Sequence, residues 1–203
     1  MPTHRRRLWY LTCRTVVLGI TLVVAPIVVT DGQAFAKRPG VELGGFGGLV
    51  TAGGQDFNGT NSTTGVGAVV RLVFLGHFGL GIGLHYSDHG LQTLPEHIRI
   101  RSWYGEARFT QPLRSWPVSA FVGVRFGSAH EDISIVHWTA DGGVAGGLAG
   151  FRWRIAAPIA IELEASETAL HFDDRRGADG SIMPGTSSHG SSFGLDGGLV
   201  LAF

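Results

Sequence analysis

Phe193-Gly194-Leu195-Asp196-Gly197-Gly198-Leu199-Val200-Leu201-Ala202-Phe203 sets the frame for reading the rest of the chain. Phe193, Leu195, Leu199, Leu201 and Phe203 fall on one face of an extended strand, with Gly197 among them. Gly194, Asp196, Gly198, Val200 and Ala202 fall on the other. A period of two places alternate residues on opposite faces of a strand, never on one face of a helix.

Upstream segments repeat the pattern. Ile159, Ile161, Leu163 and Ala165 oppose Ala160, Glu162, Glu164 and Ser166. Phe78, Leu80, Ile82, Leu84 and Tyr86 oppose Gly79, Gly81, Gly83, His85 and Ser87. Five more segments fit, near Val41–Ala52, Gly65–Leu75, Ile98–Gln111, Val118–Ala129 and Gly143–Ile155. Segments of about ten residues are long enough to cross a bilayer as tilted strands, and an even count suits a closed antiparallel barrel. Short links are expected near Leu75–His77, Pro112–Trp116 and Ala156–Pro158. Longer polar ones are expected near Gly53–Thr63, Asp88–His97, His130–Gly142 and His171–Ser191, the last partly disordered. Short turns at one end and long loops at the other form the pattern of outer-membrane barrels.

Facing decides between a soluble and a membrane barrel. The bulky face carries Phe74, Trp103, Phe109, Phe126, Phe151 and Trp153. The opposite face carries glycines with Arg71, Glu106, Arg108, Arg125, Arg152, Glu162, Glu164 and Asp196, and Glu42 near its turn-end mouth. Glycine and charge do not make a soluble core, but a band of Leu, Val, Ile and Phe matches hydrocarbon. The fold class read here is all-β: an eight-stranded antiparallel up-and-down transmembrane barrel preceded by a signal peptide. Its lumen is narrow enough to be filled by side chains, so the charges are expected to pair and close it.

Residues 1–36 read as the signal peptide and 37–203 as the barrel domain. His4, Arg5, Arg6 and Arg7 precede an apolar run from Thr15 to Val29, and Ala34-Phe35-Ala36 supplies a small-x-small cleavage site. Lys+Arg and Asp+Glu are 16 each; removal of four Arg and one Asp leaves 12 basic and 15 acidic residues. Nothing in that balance points to nucleic acid. The single cysteine, Cys13, lies in the leader, which excludes disulfide and thiolate-metal chemistry from the remainder.

The stretch Gly81-Ile82-Gly83-Leu84-His85-Tyr86, with Ile98-Arg99-Ile100-Arg101-Ser102-Trp103-Tyr104-Gly105-Glu106-Ala107, resembles the β3–β4 hairpin of the outer-membrane β-barrel domain superfamily of OmpA-type and OmpX-type barrels. Val118-Ser119-Ala120-Phe121-Val122-Gly123-Val124 resembles its next strand. The resemblance implies a cell-envelope location in the bacterial outer membrane and leaves activity open. The terminal Phe203 resembles the signal read by the barrel-assembly machinery, and no OmpA-type periplasmic domain is expected after it.

Candidate chemistry is sparse. His85-Tyr86-Ser87-Asp88-His89 is similar to the His-x-Ser motif of lipid A deacylases, with Glu96 following, but Asp88 stands where that family has Asn. Parity also turns His85 and Ser87 toward the lumen. His85, His89, His97, His130, His137, His171 and His189 lie in or beside the long loops at no recognisable metal-ligand spacing. Arg99 and Arg101 share the parity of Trp103 and are placed to meet lipopolysaccharide phosphates. No Walker, Rossmann or zincin motif is present. The expectation is a non-enzymatic surface barrel with no catalytic residue, cofactor or metal, whose partners are outer-membrane lipids, lipopolysaccharide and a ligand at the loops. The alternative is a lipid A-modifying enzyme or a narrow gated channel.

Overall fold

A computed structural model describes residues 39–54, 57, 60–91, 97–113, 116–134 and 136–203. The expected leader, with Cys13 and the Ala34-Phe35-Ala36 site, lies outside the described residues, as does Glu96.

Eight strands follow one another: β1 (Gly40–Gly53), β2 (Thr63–Phe74), β3 (Phe78–Gly90), β4 (His97–Pro112), β5 (Val118–Ile133), β6 (Trp138–Ala156), β7 (Ile159–Phe172) and β8 (Ser188–Ala202). Each pairs antiparallel with its sequence neighbour, and β1 pairs with β8 to close the barrel. Closure leaves no sheet edge, as hydrocarbon requires. Phe203 takes part: its N–H donates to the Val41 carbonyl at 2.8 Å and its carbonyl accepts from the Val41 N–H at 3.1 Å.

The two faces of the sheet divide as expected. Ile82 is 73% exposed and Trp103 66%, whereas Arg71 and Glu106 are each 2% exposed inside. Leu72, Leu80, Phe126, Phe151, Trp153, Leu163 and Leu199 complete an outward apolar belt, and aromatic residues mark its edges. Small residues on the inner face admit long ones: a Cβ on Gly81 would lie 2.8 Å from Arg71 Cγ.

The outer connections correct the sequence reading. The span His130–Gly142, expected as a loop, is mostly strand: Ala129↔Gly142 through Ile133↔Trp138 are paired, and of the described residues Ser134, Val136 and His137 form the turn. β7 and β8 likewise continue to Phe172↔Ser188. These extensions lie above the apolar belt, where water surrounds the barrel, so the alternation reverses phase. Ile98, Ile100, Ile133, Leu170 and Phe172 point inward, while Arg101, Asp141, His171 and His189 are exposed and His130 is half-buried. A search for apolar residues facing lipid reads such segments as polar loops. The long connection after β7 is also ordered by hydrogen bonds rather than disordered. The Arg176 and Thr139 backbones exchange bonds of 2.8 and 3.0 Å, the Asp173 N–H donates to the Asp141 carbonyl at 2.9 Å, and Arg175 Nε lies 3.4 Å from Glu131 Oε2.

Candidate functional site: a lumen in three layers

At the short-turn end, the expected interior charges converge. Register brings them together, with Arg71, Gly81, Glu106 and Arg125 successive partners across β2 to β5, and Arg152 facing Glu162 across β6 and β7. Arg71 Nε donates to Glu106 Oε1 at 2.6 Å, and Arg125 Nε to Glu106 Oε2 at 2.9 Å. Arg108 spans Glu162 at 2.8 Å and Glu164 at 3.0 Å. Arg152 holds Glu42 through both Nη atoms, at 2.5 and 2.6 Å, and reaches Glu162 through Nε at 2.7 Å. The Arg108 guanidinium also lies 3.9 Å from the centre of the Phe121 ring. Each of the four glutamates meets at least two arginines, which is how buried charges offset their desolvation.

Asp196 is the fifth carboxylate against four arginines. It sits opposite Glu164 in register, and its Oδ1 is buried without a hydrogen-bond partner. It opens into the second layer, a cavity of about 60 Å³ lined by Ser87, Ser102, Ser166, Thr168, Ser192 and Tyr104 among others. That volume fits about four water molecules.

The third layer is an apolar cap. Phe57, Ile98, Ile100, Ile133, Val144, Leu170 and Phe172 form one buried cluster at the long-loop end. Phe172 is 0% exposed, and the Phe57 and Phe172 ring centres stand 6.2 Å apart. None of this was anticipated; its only sequence signal is the reversed phase of alternation.

The deacylase-like motif does not assemble. His85 stacks on Phe46 at 6.1 Å inside the barrel, and the Ser87 hydroxyl lies 3.0 Å from His89 Nε2, not beside His85. His89 Nδ1 is 3.2 Å from the Asn61 carbonyl. Ser87 and His89 are buried beneath the cap, away from the lipid face. Among the outward-facing histidines, His97 Nδ1 lies 2.9 Å from Asp88 and His130 Nδ1 lies 2.9 Å from Asp141, while His171 and His189 meet each other. No group of three or more metal-ligating side chains occurs among the described residues. Of the two outward arginines, Arg99 is 3.4 Å from Asp88, whereas Arg101 is exposed and makes no salt bridge among the described residues. In the outer loop, Asp179 accepts from the Ser181 hydroxyl at 2.6 Å and from its N–H at 3.0 Å, which holds this carboxyl below its usual range.

No protein-family model matches the sequence, and no curated protein matches it. Solved structures do match its fold. Neisserial surface protein A superimposes with a TM-score of 0.60 at 11% identity, covering 81% of this chain and 97% of that one. A major outer membrane protein from Thermus thermophilus superimposes with a TM-score of 0.50 at 11% identity, covering 82% and 100%. The chain therefore has the fold of an eight-stranded outer-membrane β-barrel.

Proposed function

We propose that the protein is a non-enzymatic barrel of the bacterial outer membrane that displays its outer strand extension and loops as a binding or adhesion surface. The observation that carries this reading is the filling of the lumen along its length. Among the described residues, an ionic layer and an apolar cap lie at the two ends of a small cavity, and Ser87 and His89 are buried away from the lipid face. What remains accessible is the outside: the lipid-facing belt, the polar ring above it and the loop of residues 173–187.

In this reading Arg101 meets lipopolysaccharide phosphates, Phe203 is read by the barrel-assembly machinery, and residues 1–36 are removed on export. Deletion of residues 174–186 is the direct test. Cells expressing the shortened barrel should insert it normally and lose attachment to the surface or partner bound by the parent. Unchanged attachment overturns the display role. Discrete conductance steps from the purified parent in planar bilayers would instead favour a channel. A Ser87-dependent change in lipid A mass would favour an enzyme.

A further inference from the structure

His171 on β7 and His189 on β8 are direct cross-strand partners on the outward face, above the apolar belt. Their Nδ1 atoms are 2.6 Å apart, with ring centres at 4.4 Å and planes within 10°. Parallel rings stacked face to face cannot bring two atoms much closer than the usual contact of about 3.5 Å. The imidazoles therefore lie nearly in one plane, edge to edge, with the two Nδ1 edges abutting. As they stand, one Nδ1–H donates a hydrogen bond to the other; with both Nδ1 atoms unprotonated, the same two nitrogens can turn onto one metal ion.

We propose that His171 and His189 bind one divalent transition metal of the Zn²⁺, Ni²⁺ or Cu²⁺ class at the outer surface. Zn–N bonds of about 2.0–2.1 Å at a tetrahedral angle need the nitrogens about 3.3 Å apart. The pair reaches this by opening about 0.7 Å, within the reach of two exposed side chains rotating about χ1 and χ2. Both rings must then carry their proton on Nε2. Asp173 Oδ1 lies 3.9 Å from His171 Nε2, beyond hydrogen-bond distance, and its negative charge favours a proton on that nitrogen. Asp141 and Asp173 are joined by a backbone hydrogen bond of 2.9 Å and add negative charge nearby. Imidazole nitrogens select this metal class over Ca²⁺ and Mg²⁺, which take oxygen ligands. With two protein ligands the remaining positions are open to water or to an acidic group on a partner.

The test is calorimetric titration of ZnCl₂ into protein purified from outer membranes in detergent without a polyhistidine tag. The parent should bind one equivalent. His171→Ala and His189→Ala should each weaken binding by about tenfold or more, since losing a ligand costs at least as much as losing its orienting partner. His130→Ala, which removes an outward-facing histidine held by Asp141, should bind as the parent does. Gel mobility before and after boiling checks that each variant is folded. Equal affinity in the parent and both pair variants, or no saturable binding by the parent, overturns the proposal.

Discussion

The inward faces of the barrel's two ends obey opposite rules. At the short-turn end the interior holds Glu42, Arg71, Glu106, Arg108, Arg152, Glu162 and Glu164, with bulky Leu, Ile and Phe outside. At the long-loop end the interior is mainly Phe57, Ile98, Ile100, Ile133 and Phe172, beside the buried His89, Glu131 and Ser188, with Arg, His and Asp outside. The same strands supply both. What changes is the surrounding solvent. Where hydrocarbon surrounds the sheet, apolar side chains gain nothing from turning inward, and the narrow lumen is filled by charges that satisfy one another. Where water surrounds it, burial of apolar surface again drives folding, at about 25 cal/mol per Å². The protein is thus a membrane barrel continued upward as a small soluble β-structure.

The sharpest way to break this division is at Glu106, which meets Arg71, Arg108 and Arg125 in the ionic layer. Glu106→Ala leaves three guanidinium groups short of counter-charge, and breaking such a buried arrangement costs about 3–5 kcal/mol. Urea unfolding in lipid vesicles should show that loss, or no folded protein should be recovered. A change below about 1 kcal/mol would mean the network contributes little to holding the lower lumen. Next in size is Leu163→Arg on the outer belt, expected to cost about 2–4 kcal/mol in the same assay. Tolerance of arginine at that position would place Leu163 outside the hydrocarbon.

This division also explains how much was readable in the residues themselves. The spacing of Ile159, Ile161 and Leu163 against Glu162 and Glu164 sufficed for strand, face and lumen, because one rule governs the bilayer section. Strand edges at the turns followed from Gly76 and Pro158. The upper section stayed hidden because Ile133 and Trp138 put apolar side chains inward within a polar stretch, opposite in phase to the belt below. The pairing of His171 with His189 was hidden for a different reason. They lie eighteen positions apart, and the β7–β8 register puts them side by side. The His85–Ser87 motif shows the converse, since adjacency in sequence did not produce contact.

In the cap, Phe172→Ala should behave differently from Glu106→Ala. Truncating a buried Phe costs about 3–5 kcal/mol where it packs. The cap lies beyond the membrane-spanning section, so it can open while the barrel below stays closed. The expected result is rapid proteolytic cutting near the long loops of the intact cell-surface protein, with the urea midpoint of the barrel moved by less than that of Leu163→Arg. If the whole barrel loses stability in step with the cap, the two regions form one cooperative unit and the division is wrong.

Asp196 stands at the boundary between the layers, and its replacement should have the smallest effect. It lies inside the lumen yet faces Glu164 rather than an arginine, and Oδ1 has no partner. Asp196→Asn keeps the size of the side chain and removes the surplus charge of five carboxylates against four arginines. Relief of that repulsion offsets any lost attraction to Arg125, so stability at neutral pH should change by less than about 1 kcal/mol, and in the favourable direction. Glu164→Gln, one position across the sheet, removes the negative charge and one of the two oxygens facing Arg108 and Arg125, and it should lose stability clearly. Urea midpoints for the two variants decide the matter. Equal losses would mean that Asp196 belongs to the ionic layer after all, and that the layer extends up into the hydroxyl-lined cavity.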